Sequence, residues 1–462
     1  MSILSFSQPQ GSRSILMEKA LFIFRRDLRL EDNTGLIYAL KNARVVIPCF
    51  IFTPEQIDHN PYKSHHALEF MMGALNDLKT ALRGKLYFFQ GKPEEIVEKC
   101  IQKLDVDGVI VNRDYTPYSL ERDKKIGRVC KKHNTPFLSF DDALLHPPET
   151  TLKQNGEPYA VFTPYFRNAS RLTVAAPQKN RYSNYYNEPI PFSSQVSLSD
   201  SFKGRSEGLK ILKSLKKFSA YRQDRDFPAL AATTQLSPHL KFTTCSPREV
   251  YAAIVKQLGT HSELIRALYW RDFFTTIAFF YPHVFKGAFH QKFDRLKWSD
   301  DKKAFRRWCE GKTGVPIVDA GMRQLNATGF MHNRVRMITA TFLVKDLHID
   351  WHWGEKYFAQ NLIDYDPSVN NGNWQWVAST GCDAQPYFRI FNPWTQAKKF
   401  DPDCSYIKKW IPELKDLSAK EIHDWESEKH HDRCAYPRPL VNHAQEAKNT
   451  LHHYKEASCL GI

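Results

Sequence analysis

The sequence predicts an α/β domain followed by an all-α domain: an N-terminal doubly wound parallel sheet, a long connector and a C-terminal helical half. Three observations carry this. Short apolar runs alternate with amphipathic stretches up to about residue 134. From residue 146 to 208 that periodicity gives way to Pro, Ser, Asn and Tyr. Beyond it, strand signals vanish and apolar residues recur at helical spacings. The expected divisions are a disordered tail at 1–16, the α/β domain at 17–146, the connector at 147–208 and the helical domain at 209–462.

Within the first domain, "KALFIF" reads as a buried strand, "NTGLIYALKNA" as a helix with Asn33 near its cap, and "RVVIPCFIF" as the second strand. "SHHALEFMMGALNDLKTALRG" is a helix ending at Gly84, "KLYFF" a strand, and "KPEEIVEKCIQKL" a helix with Pro93 in its first turn. "DGVIVN" and "SLERDKKIGRVCKKHN" supply a further strand and helix. This β-α-β-α rhythm implies parallel pairing. A dinucleotide-binding fold would carry G-x-G-x-x-G in its first turn. That turn reads "FRRDLRLEDN", without glycine, so any dinucleotide is expected to bind elsewhere.

"HPPETTLKQNGEPYAV" and "NEPIPFSSQVSLSD" have turn chemistry, and so long a connector must drape over the domains. The helical half then reads off as "SPREVYAAIVKQL", "HSELIRALYWRDFFTTIAFF", "GVPIVDAGMRQLNATG" and "FMHNRVRMITATFLVKDL".

Charge and cysteine usage narrow the function. The 462 residues carry a net charge of +15, which favours a polyanion partner, nucleic acid before an anionic membrane surface. Lys210, Lys213 and Lys217 are equally readable as one solvated helix face. Nine cysteines without a C-x-x-C pair argue against a zinc ribbon or a disulfide scaffold and fit a reducing compartment. The paired histidines at 65–66, 430–431 and 452–453 lack metal-ligand spacing, so no metal is expected. No apolar run is long enough to span a membrane. The first sixteen residues lack a secretory core, and Met17 is a candidate start.

All ten tryptophans fall at or after Trp270. Two of them close the run "NNGNWQW" at Asn370–Trp376, just behind Asp364 and Asp366. Buried carboxylates are expensive, and a buried indole N–H needs a partner. A large helical core needs bulky filler, which accounts for any single tryptophan; why two of them stand beside carboxylates and amides is the question the cluster raises.

Four stretches together resemble a known family: "FRRDLRLEDN", "RDFPALAATTQLSPHL", "GKTGVPIVDAGMRQLNATGFMHNRVRM" and "IDYDPSVNNGNWQWVASTGCDAQPYFRIFNP". They are similar to the photolyase/cryptochrome flavoproteins, and most similar to class I cyclobutane-pyrimidine-dimer photolyases, from about Lys19 to the C-terminus. The resemblance implies a helical domain holding FAD folded into a U. By that likeness Tyr221, Thr233, Thr234, Gln235, Leu236 and Ser237 hold the pyrophosphate and its neighbourhood, with hydroxyls as donors in place of a glycine loop. Arg271 is expected near the flavin with Asp364 as partner, and Asp366 near the ribityl chain or the flavin edge. Asn370 is expected to face flavin N5, where plant cryptochromes typically carry an acid and animal ones often a cysteine.

The same likeness assigns Trp374, Trp351 and Trp298 to an electron-hopping chain ending at the surface. Trp376 and Trp270 would pack against a pyrimidine dimer flipped from the duplex, with Asn333 and Met337 meeting it from one helix face. Arg334 and Arg389, with Arg225 and Gln396, would contact phosphates. The implied reaction is light-driven: excited reduced FAD lends an electron to the dimer, the ring splits and the electron returns.

Three places depart from the family pattern. The glutamate usual three residues before the tryptophan of W-R-[DE]-F is Ala267, although Glu263 lies one turn away. The histidine pair of (6-4) photolyases is reduced to His332, followed by Asn333. The Asn-Glu pair of folate-binding members is missing from "NRDYTPYSLERD", which has Tyr118–Ser119 near that place, so folate, a deazaflavin or no antenna all stay open. The expectation is a monomeric photolyase on UV-damaged DNA, beside the bacterial nucleoid or in a eukaryotic nucleus. The rivals are a cryptochrome-like blue-light receptor without repair activity and a (6-4) photolyase.

Overall fold

The computed structural model describes residues 17–202 and 204–459; the tail at 1–16 lies outside the described residues. Five parallel strands form one sheet in the order β3-β2-β1-β4-β5: β1 Met17–Phe24, β2 Ala43–Phe52, β3 Tyr87–Gln90, β4 Gly108–Asn112 and β5 Phe137–Phe140. Leu21 pairs with Ile47 on one side and Val109 on the other. Both faces of the sheet are covered, which is why the strands read as unbroken apolar runs. Leu21 and Ile23 enter one core, and Ala20, Phe22 and Phe24 the opposite one.

The helices between strands end as their chemistry dictates. Asn33 accepts from Leu36 N, and Ser64 from Ala67 N, each at 3.1 Å. The helix His65–Ala81 stops ahead of Gly84, whose φ of +83° suits a residue without Cβ.

The helical half packs around two cores. Its helix Pro247–Leu258 opens on a capping box between Ser246 and Glu249. The helix Glu263–Phe280 is buried along most of its length, and the helix Asn333–Thr341 runs on into a π-turn at Phe342–Asp346.

The connector has more structure than its turn-rich text indicates. It contains a helix, Phe162–Ala169, which joins the core around Tyr269 and Phe273. It also pairs with the sheet, Val46 N donating to Asn184 O at 2.9 Å and Ser194 N to Phe88 O at 2.7 Å. The helix Arg205–Lys213 begins inside the expected connector and carries Lys210 and Lys213.

The glycine-free turn after β1 clamps the two halves together. Arg29, fully buried, bonds both oxygens of Asp142 at 2.8 and 2.7 Å and reaches the carbonyl of Thr243 at 3.1 Å. Arg248 of the helical half donates to Asp32 at 3.0 Å and to Asp142 at 2.8 Å. Ser246 Oγ also bonds Asp32. Arg26 crosses to Asp366 at 2.6 Å.

Candidate functional site

A cavity of roughly 570 Å³ opens in the helical half, within the range of small-molecule and cofactor sites. One wall runs from Tyr221, at the head of the short helix Tyr221–Asp224, to the irregular stretch with Thr233, Thr234, Gln235 and Leu236 and on to Ser237, which opens the short helix Ser237–Lys241. Gln235 bends this segment through a left-handed conformation, φ +52°. Within this stretch Thr234 Oγ1 accepts from Leu236 N at 3.4 Å.

The helices Glu263–Phe280 and Pro367–Val377 form the opposite walls. They contribute Trp270 and Arg271 from the first and Asn370, Trp374 and Trp376 from the second, with Asp364 and Asp366 just before it. These helices approach closely because Gly372 faces the ring of Phe274, where a Cβ would collide. Gly354 likewise leaves room for the indole of Trp374. The helix Asn333–Thr341 supplies Asn333, Arg334 and Met337, and Asn333 Nδ2 lies 3.9 Å from Met337 Sδ, so both share one face. Arg225 completes the rim.

Four expected site residues stand away from this wall. Trp351 is buried and stacks on His352 at 3.7 Å. Trp298 is half-buried where two apolar clusters meet. Arg389 is exposed, and Gln396 is half-buried with its Oε1 unpartnered. The rings against Trp374 are Phe358 at 4.9 Å and Trp308 at 6.3 Å.

The expected pairing of Arg271 with Asp364 is not formed. Arg336 grips Asp364 with two bonds, at 3.2 and 2.9 Å, from the neighbouring helix. Arg271 is spent on the carbonyls of Ala143 at 2.8 Å and Leu240 at 3.2 Å, and on Asp272 at 3.2 Å. Burial pushes the Asp272 carboxyl up to about 7 despite Arg271 beside it. Asp366 caps the helix Pro367–Val377 through Ser368 N at 3.1 Å. Burial would raise its pKa, but Arg26, Lys241 and Arg271 outweigh that and hold the carboxyl well below the usual range.

Arg26, Lys241, Arg336 and Glu355 escaped sequence reasoning. Arg26 lies 340 residues from Asp366, and no local signal links them. Arg336 sat in plain view within "HNRVRM", one turn beyond Asn333 on the same side. Glu355 is buried behind Asn370: Asn370 Nδ2 donates to its backbone carbonyl at 3.0 Å and Asn371 Nδ2 to its Oε1 at 3.1 Å. Burial pushes Glu355 up to about 7.

A second cleft, of about 240 Å³, lies at the C-terminal edge of β1 and β2 between the halves. Such edges are where open α/β sheets take ligands. Arg25, Arg26 and Arg122 face it together with Tyr62, and Arg122 Nη2 is buried without a hydrogen-bond partner. Lys241 and Tyr365 line both cavities.

Residues 20–181 match the family model described as DNA photolyase, and residues 264–456 the FAD binding domain of DNA photolyase. The deoxyribodipyrimidine photo-lyase of Vibrio cholerae is 38% identical, over 94% of this chain and 98% of its own. The chain belongs to the DNA photolyase family. Two solved members superpose along almost its whole length. The archaeal photolyase of Sulfolobus tokodaii, solved with two FAD molecules, has a TM-score of 0.86 at 43% identity over 95% of this chain and 100% of its own. A class III photolyase from Agrobacterium tumefaciens has a TM-score of 0.88 at 33% identity, covering 98% of this chain and 99% of its own. Among the described residues no helix is long and apolar enough to cross a membrane.

Proposed function

We propose that this chain is a deoxyribodipyrimidine photo-lyase that uses light to split cyclobutane pyrimidine dimers in UV-damaged DNA, with FAD as cofactor. The observation that carries the reading is the helical cavity: a hydroxyl-lined wall, an amide and two tryptophans converge on one space within an FAD-binding domain. Its donors fit the cofactor. Thr233, Thr234 and Ser237 suit a pyrophosphate, and the apolar faces of Phe274 and Trp374 suit flat rings. The Asp364 carboxylate is an acceptor for the flavin region, and Arg271 adds positive charge there, although its Nη groups already bond Ala143, Leu240 and Asp272. FAD, when bound, supplies light-driven one-electron chemistry.

The protein's own part is positioning. Asn370 spends its Nδ2 on Glu355 and keeps Oδ1, a neutral acceptor, for the cavity. Trp270 and Trp376 offer aromatic faces to a dimer flipped out of the duplex, and Asn333 and Met337 meet it from the side. Arg225, Arg334 and Arg389 hold the strand by its phosphates, which carries no sequence preference. Trp374 delivers an electron toward the cavity, refilled from Trp351 and Trp298 or from Trp308, whose ring lies against it.

His332 favours dimer over (6-4) repair. It is buried, burial lowers its pKa to about 4, and its Nδ1 accepts from Arg334 N at 3.2 Å, so Asn333 faces the cavity in its stead. The second cleft is the antenna site. Its cationic and aromatic lining would suit an anionic aromatic chromophore, and Lys241 and Tyr365 stand between it and the helical cavity that would hold FAD. The sheet half at 17–146 thus gathers light and the half at 209–462 does the chemistry, as a monomer, beside the nucleoid in a bacterium or in the nucleus of a eukaryote.

The test is UV-irradiated oligothymidylate. Its ultraviolet absorbance recovers under blue light with the flavin-loaded protein and stays low in the dark. Flavin-loaded protein that leaves dimers intact under blue light points to a signalling receptor instead. Trp374→Phe slows photoreduction of the flavin but spares repair by enzyme reduced beforehand; equal photoreduction rates would remove the tryptophan route.

A further inference from the structure

Resting on the DNA-repair reading above, we propose that Arg266 is an additional phosphate-binding residue, holding a phosphodiester of the damaged strand at the cavity mouth. Arg266 lines the cavity one turn before Trp270. Its guanidinium lies over two rings of the connector helix, 4.9 Å from the centre of Phe162 and 5.1 Å from that of Phe166. Phe162 in turn stacks on Trp270 at 3.6 Å with the planes 8° apart. The cation and the dimer-facing indole are thus two surfaces of one aromatic stack.

A guanidinium over aromatic rings spends none of its five donors on them, so they remain free for a two-pronged bond to an anion. The other rim arginines have carboxylate partners: Arg225 lies 3.5 Å from Glu263 and Arg334 3.0 Å from Asp226. Arg266 has no hydrogen bond or ion pair among the described residues. Asp383 feels its charge but accepts from Phe162 N at 3.1 Å. Ala267 beside it is exposed, so no bulky neighbour screens it from a strand at the mouth. A cation seated over two rings, without a carboxylate bond and half-buried beside the wall that would face the dimer, is matched to phosphate.

The experiment measures affinity for a duplex containing one thymine dimer, and for the same duplex undamaged, across a series of salt concentrations. Arg266→Gln keeps a stem over Phe162 and removes the charge; Arg266→Lys keeps the charge. Flavin content and melting temperature confirm that both variants fold. Arg266→Gln should weaken both duplexes alike, by about five- to tenfold near 0.1 M salt, and make the log–log salt slope shallower by about one. Arg266→Lys should retain the wild-type slope. An unchanged slope in Arg266→Gln, whether affinity holds or falls for the dimer alone, overturns the proposal. Wild-type protein that cannot tell the two duplexes apart would sink the repair reading itself, a separate result.

Discussion

Asn370 is a constrained amide on the cavity wall. With Nδ2 bonded to the Glu355 carbonyl at 3.0 Å, its Oδ1 is the end left for a cofactor. A neutral acceptor tolerates negative charge on a reduced flavin nearby, whereas a carboxylate repels it at close range. Asn370→Asp should therefore lower the flavin midpoint potential, by about 30 mV or more for the two-electron couple, equivalent to about 1.4 kcal/mol. A spectroelectrochemical titration measures this, and an unchanged or higher potential would refute the assignment. Asn370 was named through the family resemblance; that its Nδ2 would be spent on the backbone of Glu355, on another helix, had no signal in the string. The partner of Asp364 was not legible either. Arg271 and Arg336 approach the same region from different helices, and only the packed side chains decide which reaches the carboxylate.

The helix Pro367–Val377 is held in place by contacts that tolerate no added atom. Gly372 faces Phe274 on the helix Glu263–Phe280, and Trp374 lies on Gly354 of the helix Trp351–Asn361. Overfilling such a seam costs typically 1–3 kcal/mol, because the helices must part. Gly372→Ala should lower the melting temperature accordingly and speed flavin loss, since the seam also sets the cavity width. Wild-type melting and flavin retention in this variant would show that the seam has slack. At this scale the sheet was legible because strands buried on both faces leave continuous apolar runs. The helix Phe162–Ala169 was not legible. It is eight residues long, too short to be stable alone, and its stability comes from the core it shares with Tyr269 and Phe273. The strand β5 left little signal either, being four residues at the sheet edge with no fully buried side chain.

The two halves are docked by charge as well as by apolar contact. The turn "FRRDLRLEDN" has no glycine, and nothing in the string announced its clamp, whose partners lie more than 100 residues away. Asp142 sits at the centre, fully buried between Arg29 and Arg248. Burial would raise its pKa, but the two guanidiniums outweigh that and bring it down to about 2. An unfolded aspartate titrates near ~3.9. The unfolded chain therefore takes up this proton first as pH falls, so the clamp's contribution is complete above about pH 4 and is lost through pH 2. That difference corresponds to about 2–3 kcal/mol. Arg248→Gln removes one of the two cations, so Asp142 should titrate nearer its unfolded value. Chemical denaturation at pH 5 should then show a less stable variant. Between pH 4 and pH 2 the variant should lose less stability than the wild type, so that the two curves converge in acid. Parallel curves over that interval would mean that Arg248 does not hold the Asp142 charge, and the acid sensitivity of the docked halves would need another source.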